Sequence, residues 1–394
     1  MTATVAVATT VGAARRYDRL GLLLAAAAAV ALLLPFVLFK VNRIVPGDPR
    51  TLLAVLPGAA GYGCLAAVAL AGLVAVRVAD ARARLAAALL GIVAVSLALA
   101  TAGDALTPAG NHIVRVAPGA GFWLLLLSLA LLATDAITRL RPRPLTRVLL
   151  LAVTLAVALA SLAHGSFDNI SVMREYAVNA DRFAREARQH LWLALGSLAA
   201  ALLVALPVGI VCHRSPRLRA AVLGTLNLVQ TIPAIALFGI LMAPLGALAA
   251  AVPLAAALGI RGIGAAPAII ALFLYSLLPV VANTVVGLRR VSPAAVDAAR
   301  GMGMTSWQIL GSVELLLALP VILTGIRIVL VQNIGLATIA ALIGAGGLGA
   351  FVFQGIGQTA IDLVLLGAIP TVVLAFSAAV VLDAVIESME RVPA

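Results

Sequence analysis

The chain has 394 residues, of which 63% are hydrophobic and only 11% are charged, and its mean hydropathy is +1.16. Soluble proteins carry about 25% charged residues, so this composition excludes a soluble or disordered chain and predicts a polytopic membrane protein. The net charge is +12, but the arginines form short clusters between apolar runs. That distribution is typical of membrane topology and not of nucleic-acid binding.

Ten apolar stretches are long enough to cross a bilayer, which takes about 20 residues of helix. The first is predicted to be a retained anchor because it is too long for a signal-peptide core. The seventh and ninth are long enough to be broken or re-entrant. We therefore predict an all-α polytopic membrane protein with about ten transmembrane helices, at residues 20–39, 56–76, 85–103, 119–137, 146–163, 191–211, 220–246, 266–288, 317–342 and 360–386.

The positive charges predict the orientation of these spans. With the amino terminus inside, 17 of the 27 Lys and Arg residues fall in inner loops, 9 fall in outer loops, and only Arg327 falls within a span. Because cytoplasmic loops carry the excess of positive charge, we expect both termini in the cytoplasm. The inner-loop residues include Arg15, Arg16 and Arg391, and the outer-loop residues include Lys40 and Arg43.

The longest hydrophilic stretch, residues 166–189, is expected outside and separates two groups of five spans. Glu175, Arg182 and Glu186 are spaced for one face of an amphipathic helix. This pattern is typical of a solvated interfacial helix, and a docking surface for an extracytoplasmic partner is the alternative. We accordingly divide the chain into a five-span region of unclear role at 1–165, this segment, and a membrane core at 190–388.

The loop at residues 289–316 carries the signals of two short helices. Ser292-Pro293 is typical of a helix start, and Gly301 and Gly303 predict its end. Thr305 to Gln308 has the pattern of a capping box that opens a second helix. Such a helix–glycine–helix element is either an ordinary structured loop or a docking site.

This loop resembles a known motif in the residues Asp297 to Met304, Gln308, and Val313 to Leu315. They are similar to the EAA loop of ATP-binding-cassette (ABC) importer permeases. Their sequence most resembles that of permeases for glycine betaine, carnitine, choline and related osmoprotectants. Asp297 stands where the family has Glu, and Leu316 stands where it has Pro. The stretches Asn227 to Gly239 and Ala340 to Gly349 also agree with the family, so the resemblance covers residues 190–388 and leaves the first five spans unexplained.

The resemblance implies that the second half has the methionine-permease-like ABC importer fold. It further implies a permease of a bacterial inner membrane that imports osmoprotectants by alternating access. In the family, the EAA helix inserts into a groove of a cytoplasmic ATPase, so the implied coupling residues are Asp297, Ala298, Ala299 and Gly303. The implied partners are this ATPase, which would bind the ATP and Mg, an extracytoplasmic solute-binding protein, and a second permease subunit, identical or paralogous. The chain itself is expected to bind no cofactor.

Polar residues within two spans are candidates for the translocation pathway. Pro233 removes a backbone hydrogen bond in mid-span, so Gln230 and Thr231 either satisfy the freed groups or line a substrate path. A charge such as Arg327 is costly inside a span and is expected either to form a structural pair or to lie on the pathway. The candidates are Gln230, Thr231, Pro233, Arg327, Gln332 and Asn333.

Enzyme signatures are absent from the sequence. Phe39, not glycine, precedes the only lysine, Lys40, so there is no Walker A motif, and no catalytic or metal-binding residue is predicted. The glycines of 344–349 match a dinucleotide fingerprint only formally and predict a tight, closely packed bend. The alternative function is an ion-coupled secondary transporter with 5+5 helices, which requires broken helices in both halves. We see them only in the second half, and a non-transporting scaffold has no feature in its favour.

Overall fold

A computed structural model describes residues 18–42, 45–108, 110–111 and 113–390. Within these ranges, nine helices are long and apolar enough to cross a membrane, and Arg19–Leu33 is a shorter apolar helix. The prediction of an all-α polytopic membrane protein is therefore confirmed. Four residues used above to predict the orientation, Arg15, Arg16, Arg43 and Arg391, lie outside the described residues.

The helices divide into two compact units. The first comprises Met1–Pro142 with Ala160–Ser171, and the second comprises Arg143–Leu159 with Val172–Ala394. Helix α6, Pro144–Ala163, belongs to both. The other helices of the first unit are α1 (Arg19–Leu33), α2 (Leu52–Val55), α3 (Ala59–Arg77), α4 (Ala81–Leu106) and α5 (Ala120–Leu140).

The first unit also contains a small sheet that the sequence did not predict. Strands β1 (Val37–Lys40), β2 (Asp48–Arg50) and β3 (Arg115–Pro118) form an antiparallel sheet in the order β2-β1-β3. The predicted span at 20–39 is wrong at its end, because α1 stops at Leu33. Pro35 disfavours helix in the residue before it, and the apolar run that follows pairs as a strand instead.

Two arginines and two aspartates hold helices α1, α4 and α5 together at one end. Arg84 has a fully buried side chain and lies 2.8 Å from a carboxylate oxygen of Asp18 and 3.0 Å from one of Asp135. Arg139 contacts both carboxylates as well, at 2.9 Å from Asp135. Because each charge faces opposite charges, a buried guanidinium is tolerated here.

The second unit contains the remaining helices. Its long helices are joined by breaks at residues 232–233, 302–305 and 344–348. A π-helical turn at Leu310–Glu314 and a 3-10 turn at Ala340–Ile343 extend α14 in both directions. The helices are α7 (Ser171–Arg214), α8 (Pro216–Thr231), α9 (Ala234–Ala251), α10 (Pro253–Ala257), α11 (Ala265–Arg290), α12 (Pro293–Gly301), α13 (Ser306–Ile309), α14 (Leu315–Ile339), α15 (Gly349–Gly357) and α16 (Ile361–Glu390).

The charge cluster of the first unit predicts a pH-dependent stability. Burial raises the pKa of Asp18, but the Gly21 amide and the Arg139 and Arg84 guanidinium groups outweigh it and lower this pKa from 3.8 to about 2. The ionised carboxylate therefore stabilises the fold above pH 3.8, and this contribution disappears as the pH falls to about 2. We expect Asp18→Asn to cost about 1–3 kcal/mol at pH 7, because it weakens the pairing of a buried charge.

The measurement is thermal unfolding of the purified chain in detergent between pH 7 and pH 2. Asp80→Asn is the matched control, because Asp80 also caps a helix but its hydrogen bonds go to the exposed amides of Arg82 and Ala83. Asparagine caps helices about as well as aspartate. Equal losses in the two variants would show that the cap, and not the pairing with arginine, accounts for the effect.

Candidate functional site

The helix–glycine–helix element predicted from the sequence is present. Helix α12 begins at Pro293, after Ser292 as the N-cap, although the Ser292 side chain makes no capping hydrogen bond. It ends at Gly301, and Gly303 adopts a left-handed φ of +83°. In this conformation the Gly303 amide donates to the carbonyl of Arg300 at 2.9 Å. Glycine is favoured there because a left-handed backbone is strained for other residues.

The four implied coupling residues differ in exposure. Asp297, Ala298 and Gly303 are exposed, whereas Ala299 is buried and its carbonyl accepts a hydrogen bond of 3.1 Å from the Met304 amide. Asp297 forms an exposed ion pair with Arg300 at 3.2 Å. Three of the four residues are therefore available to a partner. Ala299 is packed inside the second unit and stabilises the turn that follows α12.

The second short helix, α13, begins with the predicted capping box. The backbone amide of Gln308 donates to the Thr305 hydroxyl at 3.4 Å. The backbone amide of Thr305 donates to the Gln308 side-chain oxygen at 2.8 Å. Helix α13 continues through the π-helical turn into α14 without a loop. The helix of the ninth predicted span thus begins at Ser306.

Apolar side chains are exposed around this element. Met302 and Trp307 each expose 75% of their surface, and Leu316 exposes 60%. The guanidinium carbon of Arg214, the last residue of α7, lies 5.5 Å from the centre of the Trp307 ring. Exposed apolar residues beside an exposed ion pair are typical of a protein-interaction surface. We call α12, α13 and residues 302–305 between them the coupling element.

The predicted break in the seventh span is found between α8 and α9. Ile232 and Pro233 leave the helix, and the Tyr275 hydroxyl of α11 donates a hydrogen bond to the free Ile232 carbonyl. The Gln230 side-chain amide donates to the Tyr275 carbonyl at 2.9 Å. Thr231 is exposed, and its hydroxyl donates to the Leu228 carbonyl at 2.7 Å. Gln230 and Tyr275 therefore stabilise the break from two sides.

Asn333 lies at the centre of a buried polar network. Its side-chain nitrogen is 3.0 Å from the hydroxyl of Ser197 on α7 and 3.0 Å from that of Ser276 on α11. All three side chains are fully buried. Gln332, the preceding residue, is half-buried. Asn333 thus ties three helices together with hydrogen bonds that are costly to break in a low-dielectric interior.

Arg327 forms an ion pair with Asp383 of α16. Both side chains are partly exposed, at 34% and 42%. The sequence indicates Arg327 as a charge within a span, but it does not indicate Asp383 as its partner. Asp383 lies inside the predicted span 360–386, and a charge within a span is costly unless it has a partner. The reasoning used for Arg327 therefore applies to Asp383 as well.

The glycine-rich segment 344–349 forms the predicted tight bend. Gly344, Gly346 and Gly347 have φ between +76° and +86°, and a Cβ at Gly349 would overlap the Thr338 carbonyl. The bend is held by α7. Glu186 accepts a hydrogen bond from the Gly347 amide at 2.7 Å.

The prediction that the helix at 166–189 is solvated is wrong for the face that carries Glu175, Arg182 and Glu186. Arg182 donates to the side chain of Gln354 on α15 at 2.6 Å and lies over the Phe351 ring. Glu175 is buried. The segment is continuous with the following span in α7, apart from non-helical angles at Asn179. Its spacing predicted the face correctly, but the partner of that face is α15 and the glycine bend.

Comparison with known proteins agrees with the motifs in the second unit. Residues 198–391 match the family model "Binding-protein-dependent transport system inner membrane component". A curated relative, the osmoprotectant import permease protein OsmW of Salmonella typhimurium, is 42% identical over 214 residues, which are 54% of this chain and 93% of that protein. The chain belongs to the binding-protein-dependent transport system inner membrane component family. It is therefore a multi-pass membrane permease and a transport component.

Other relatives of this permease match about half of the chain. The carnitine transport permease protein OpuCB of Listeria monocytogenes is 41% identical, over 48% of this chain and 78% of its own length. The glycine betaine/carnitine/choline transport system permease protein OpuCB of Bacillus subtilis is 36% identical, over 52% and 84%. A solved structure of the MetNI methionine ABC transporter, facing inward, has a chain 21% identical over 53% of this permease and 96% of that chain, with a TM-score of 0.47.

The first five spans of the permease also match a family model. Residues 18–173 match "ABC transporter permease YehY, N-terminal domain". This part of the chain carries no recognisable motif in its sequence, because its spans have few breaks and its charges follow the pattern of membrane topology. Asp135 and Arg139 are an i,i+4 pair on α5, but Asp18 and Arg84 are far from them in sequence, and no local spacing predicts that they join this pair.

The break between α8 and α9 leads to a prediction about stability. Tyr275→Phe removes the hydroxyl that donates to the Ile232 carbonyl, and we expect a loss of about 1–3 kcal/mol because the carbonyl is left unpaired. Tyr62→Phe is the control, since Tyr62 is exposed. Thermal unfolding in detergent compares the two variants. A loss of equal size in both would contradict the assigned function of the Tyr275 hydroxyl.

Proposed function

We propose that this chain is the membrane-spanning subunit of an ABC importer for osmoprotectants such as glycine betaine or other quaternary amines. The support for the substrate class is the set of relatives described above, whose names refer to osmoprotectants, carnitine, choline and glycine betaine. The match with this chain covers most of the length of each of these relatives. Transport proceeds by alternating access, which a separate ATPase drives.

The observation that carries the proposal is the geometry of the coupling element. A protruding pair of short helices presents an exposed Asp297 and Ala298 and a left-handed Gly303, with Met302 and Trp307 exposed beside them. Small residues allow close approach to a groove, and apolar side chains supply contact area. This is the surface we assign to the ATPase, which binds the ATP and Mg.

The arrangement of partners follows from the arginine distribution. It assigns the coupling element and both termini to the cytoplasm, and the glycine bend with the amino-terminal part of α7 to the outer side. A solute-binding protein delivers the substrate from that side, and a second permease subunit, identical or paralogous, completes the pathway. We retain the division into 1–165, 166–189 and 190–388, with the third part as the permease core.

The translocation pathway is proposed to run past the break between α8 and α9. Thr231 and Pro233 are exposed there, while Gln230 is half-buried. Of the six pathway candidates, these three combine accessibility with an interrupted helix, as expected of residues that line a cavity. Gln332 and Arg327 are partly accessible from α14, and Asn333 supports the pathway from within the core.

The test of this function is uptake by reconstituted vesicles. The chain is purified with the ATPase that co-isolates, placed in proteoliposomes with ATP inside, and supplied with its binding protein and radiolabelled glycine betaine, carnitine or choline outside. The expected result is uptake that requires ATP and is insensitive to ionophores. Uptake that requires an ion gradient and no ATPase would support a secondary transporter and contradict the proposal.

A pair of glycine variants tests the coupling element itself. Gly303→Ala introduces a side chain at φ +83°, which costs about 1–2 kcal/mol in the turn. Because this turn faces the ATPase, we expect ATP-dependent uptake to fall about tenfold, the factor that corresponds to about 1.4 kcal/mol. Membrane insertion is expected to remain unchanged, as measured by the yield of folded protein in detergent.

Gly301→Ala is the matched control for this experiment. Gly301 is two residues away and equally exposed, and a Cβ there has no atom within 4 Å. It ends α12 with helical geometry, where alanine is favoured. Uptake should therefore remain near that of the parent chain. Equal uptake in the Gly303 and Gly301 variants would show that the left-handed turn does not contribute to coupling.

A further inference from the structure

Helix α7 is long enough to join the two ends of the second unit. It has 44 residues, with a kink of non-helical backbone angles at Asn179 and one proline, Pro207, in the helix that follows the kink. From Asn179 to Arg214 it extends about 50 Å at 1.5 Å per residue. The hydrocarbon core of a bilayer is about 30 Å thick, so a helix of this length emerges on both sides.

The carboxyl end of α7 contacts the coupling element. Leu206, Ile210 and Arg214 follow each other at intervals of four residues, so they lie on one face. Leu206 and Ile210 pack against a buried cluster that includes Leu310, the residue that follows α13. Arg214 lies over the Trp307 ring within cation–π distance. Any displacement of α13 therefore acts directly on this end of α7.

The other end of α7 holds the glycine bend. The Glu186 carboxylate accepts from the Gly347 amide at 2.7 Å, and the Gln189 side chain donates to the Ala345 carbonyl at 3.1 Å. Both partners are backbone groups, so the conformation of the bend itself depends on the position of α7. A segment with several left-handed glycines adopts other backbone angles at low cost once these bonds are released.

The middle of α7 is fixed to its neighbours in the core. The Ser197 hydroxyl accepts a hydrogen bond of 3.0 Å from Asn333 on α14. Leu193 belongs to the same buried cluster as Ala337 and Ala345. Because these contacts are buried and include a satisfied polar network, separating α7 from α14 at this level is costly.

We infer that α7 is the mechanical link between the coupling element and the glycine bend, with Arg214 and Glu186 as the positioning residues at its two ends. Nucleotide binding by the ATPase that docks on the coupling element is thereby converted into a change of the bend on the opposite face of the membrane. This inference rests on the proposed function, since it takes the ATPase as the source of the displacement. It adds residues outside the resembled loop to the transport cycle.

The experiment measures the bend directly, independently of transport. Leu342, at the start of the bend, is half-exposed and is replaced by cysteine. The rate of its modification by a maleimide is measured in the reconstituted complex with its ATPase, with and without ATP and vanadate. The unmodified chain serves as the blank, because Cys64 and Cys212 are buried. We expect the nucleotide to change the rate in the Leu342→Cys chain.

Substitution of Arg214 separates the link from the docking of the ATPase. We expect Arg214→Ala to reduce the nucleotide-dependent change in rate by about fivefold or more, the lower end of typical coupling factors. Co-purification of the ATPase should be retained. Arg214→Lys keeps the cation over the Trp307 ring and should retain most of the response. Arg217→Ala removes an equal charge three residues away, which is exposed as Arg214 is, and should have no effect because the cation over the Trp307 ring is kept.

Substitution of Glu186 tests the other end in the same assay. Glu186→Ala removes the acceptor for the Gly347 amide and should abolish the nucleotide response, whereas Glu186→Gln keeps an acceptor oxygen and should preserve it. An unchanged response in Arg214→Ala, or an equal loss in Arg217→Ala, would overturn the inference while the proposed function stands. A parent complex that binds no ATPase and shows no nucleotide response would overturn both.

Discussion

The second unit depends on one constraint, which is that a backbone polar group inside a bilayer must find a partner within the protein. The break between α8 and α9 and the glycine bend meet this requirement with side chains from another helix. Tyr275 pairs with the free carbonyl of Ile232, and Glu186 and Gln189 pair with the backbone of the glycine bend. At these two breaks a neighbouring helix thus supplies the missing hydrogen bonds.

Those interruptions also lack the regular backbone hydrogen bonds that constrain the adjoining helices. A regular helix resists deformation along its whole length, whereas a break held by two or three hydrogen bonds changes when its partners move. The function proposed for this permease needs such places on the pathway and at the face opposite the ATPase. The coupling element, the break between α8 and α9, and the glycine bend fulfil these needs, and the bend is tied to the coupling element by α7.

The charged residues serve two separate purposes in this permease. The arginines in short loops carry the topological signal, and their spacing along the chain is sufficient for that purpose. Arg84 and Arg327 instead pair with aspartates that are distant in sequence. A charge in an apolar environment is stable only beside its partner, so these pairs fix the packing of the helices that carry them.

The sequence by itself determined the membrane class, the broken seventh span, the capped helices of the coupling element and the tight glycine bend. Each of these follows from a local property of the sequence: the length of the apolar stretches, a proline in mid-span, a Thr–Gln capping pair, and several closely spaced glycines. Only the tertiary structure decided that Asp383 pairs with Arg327, that Tyr275 satisfies the break, and that the charged face of α7 is packed instead of solvated. These contacts join residues of different helices, and helix packing, which brings them together, leaves no trace in local spacing.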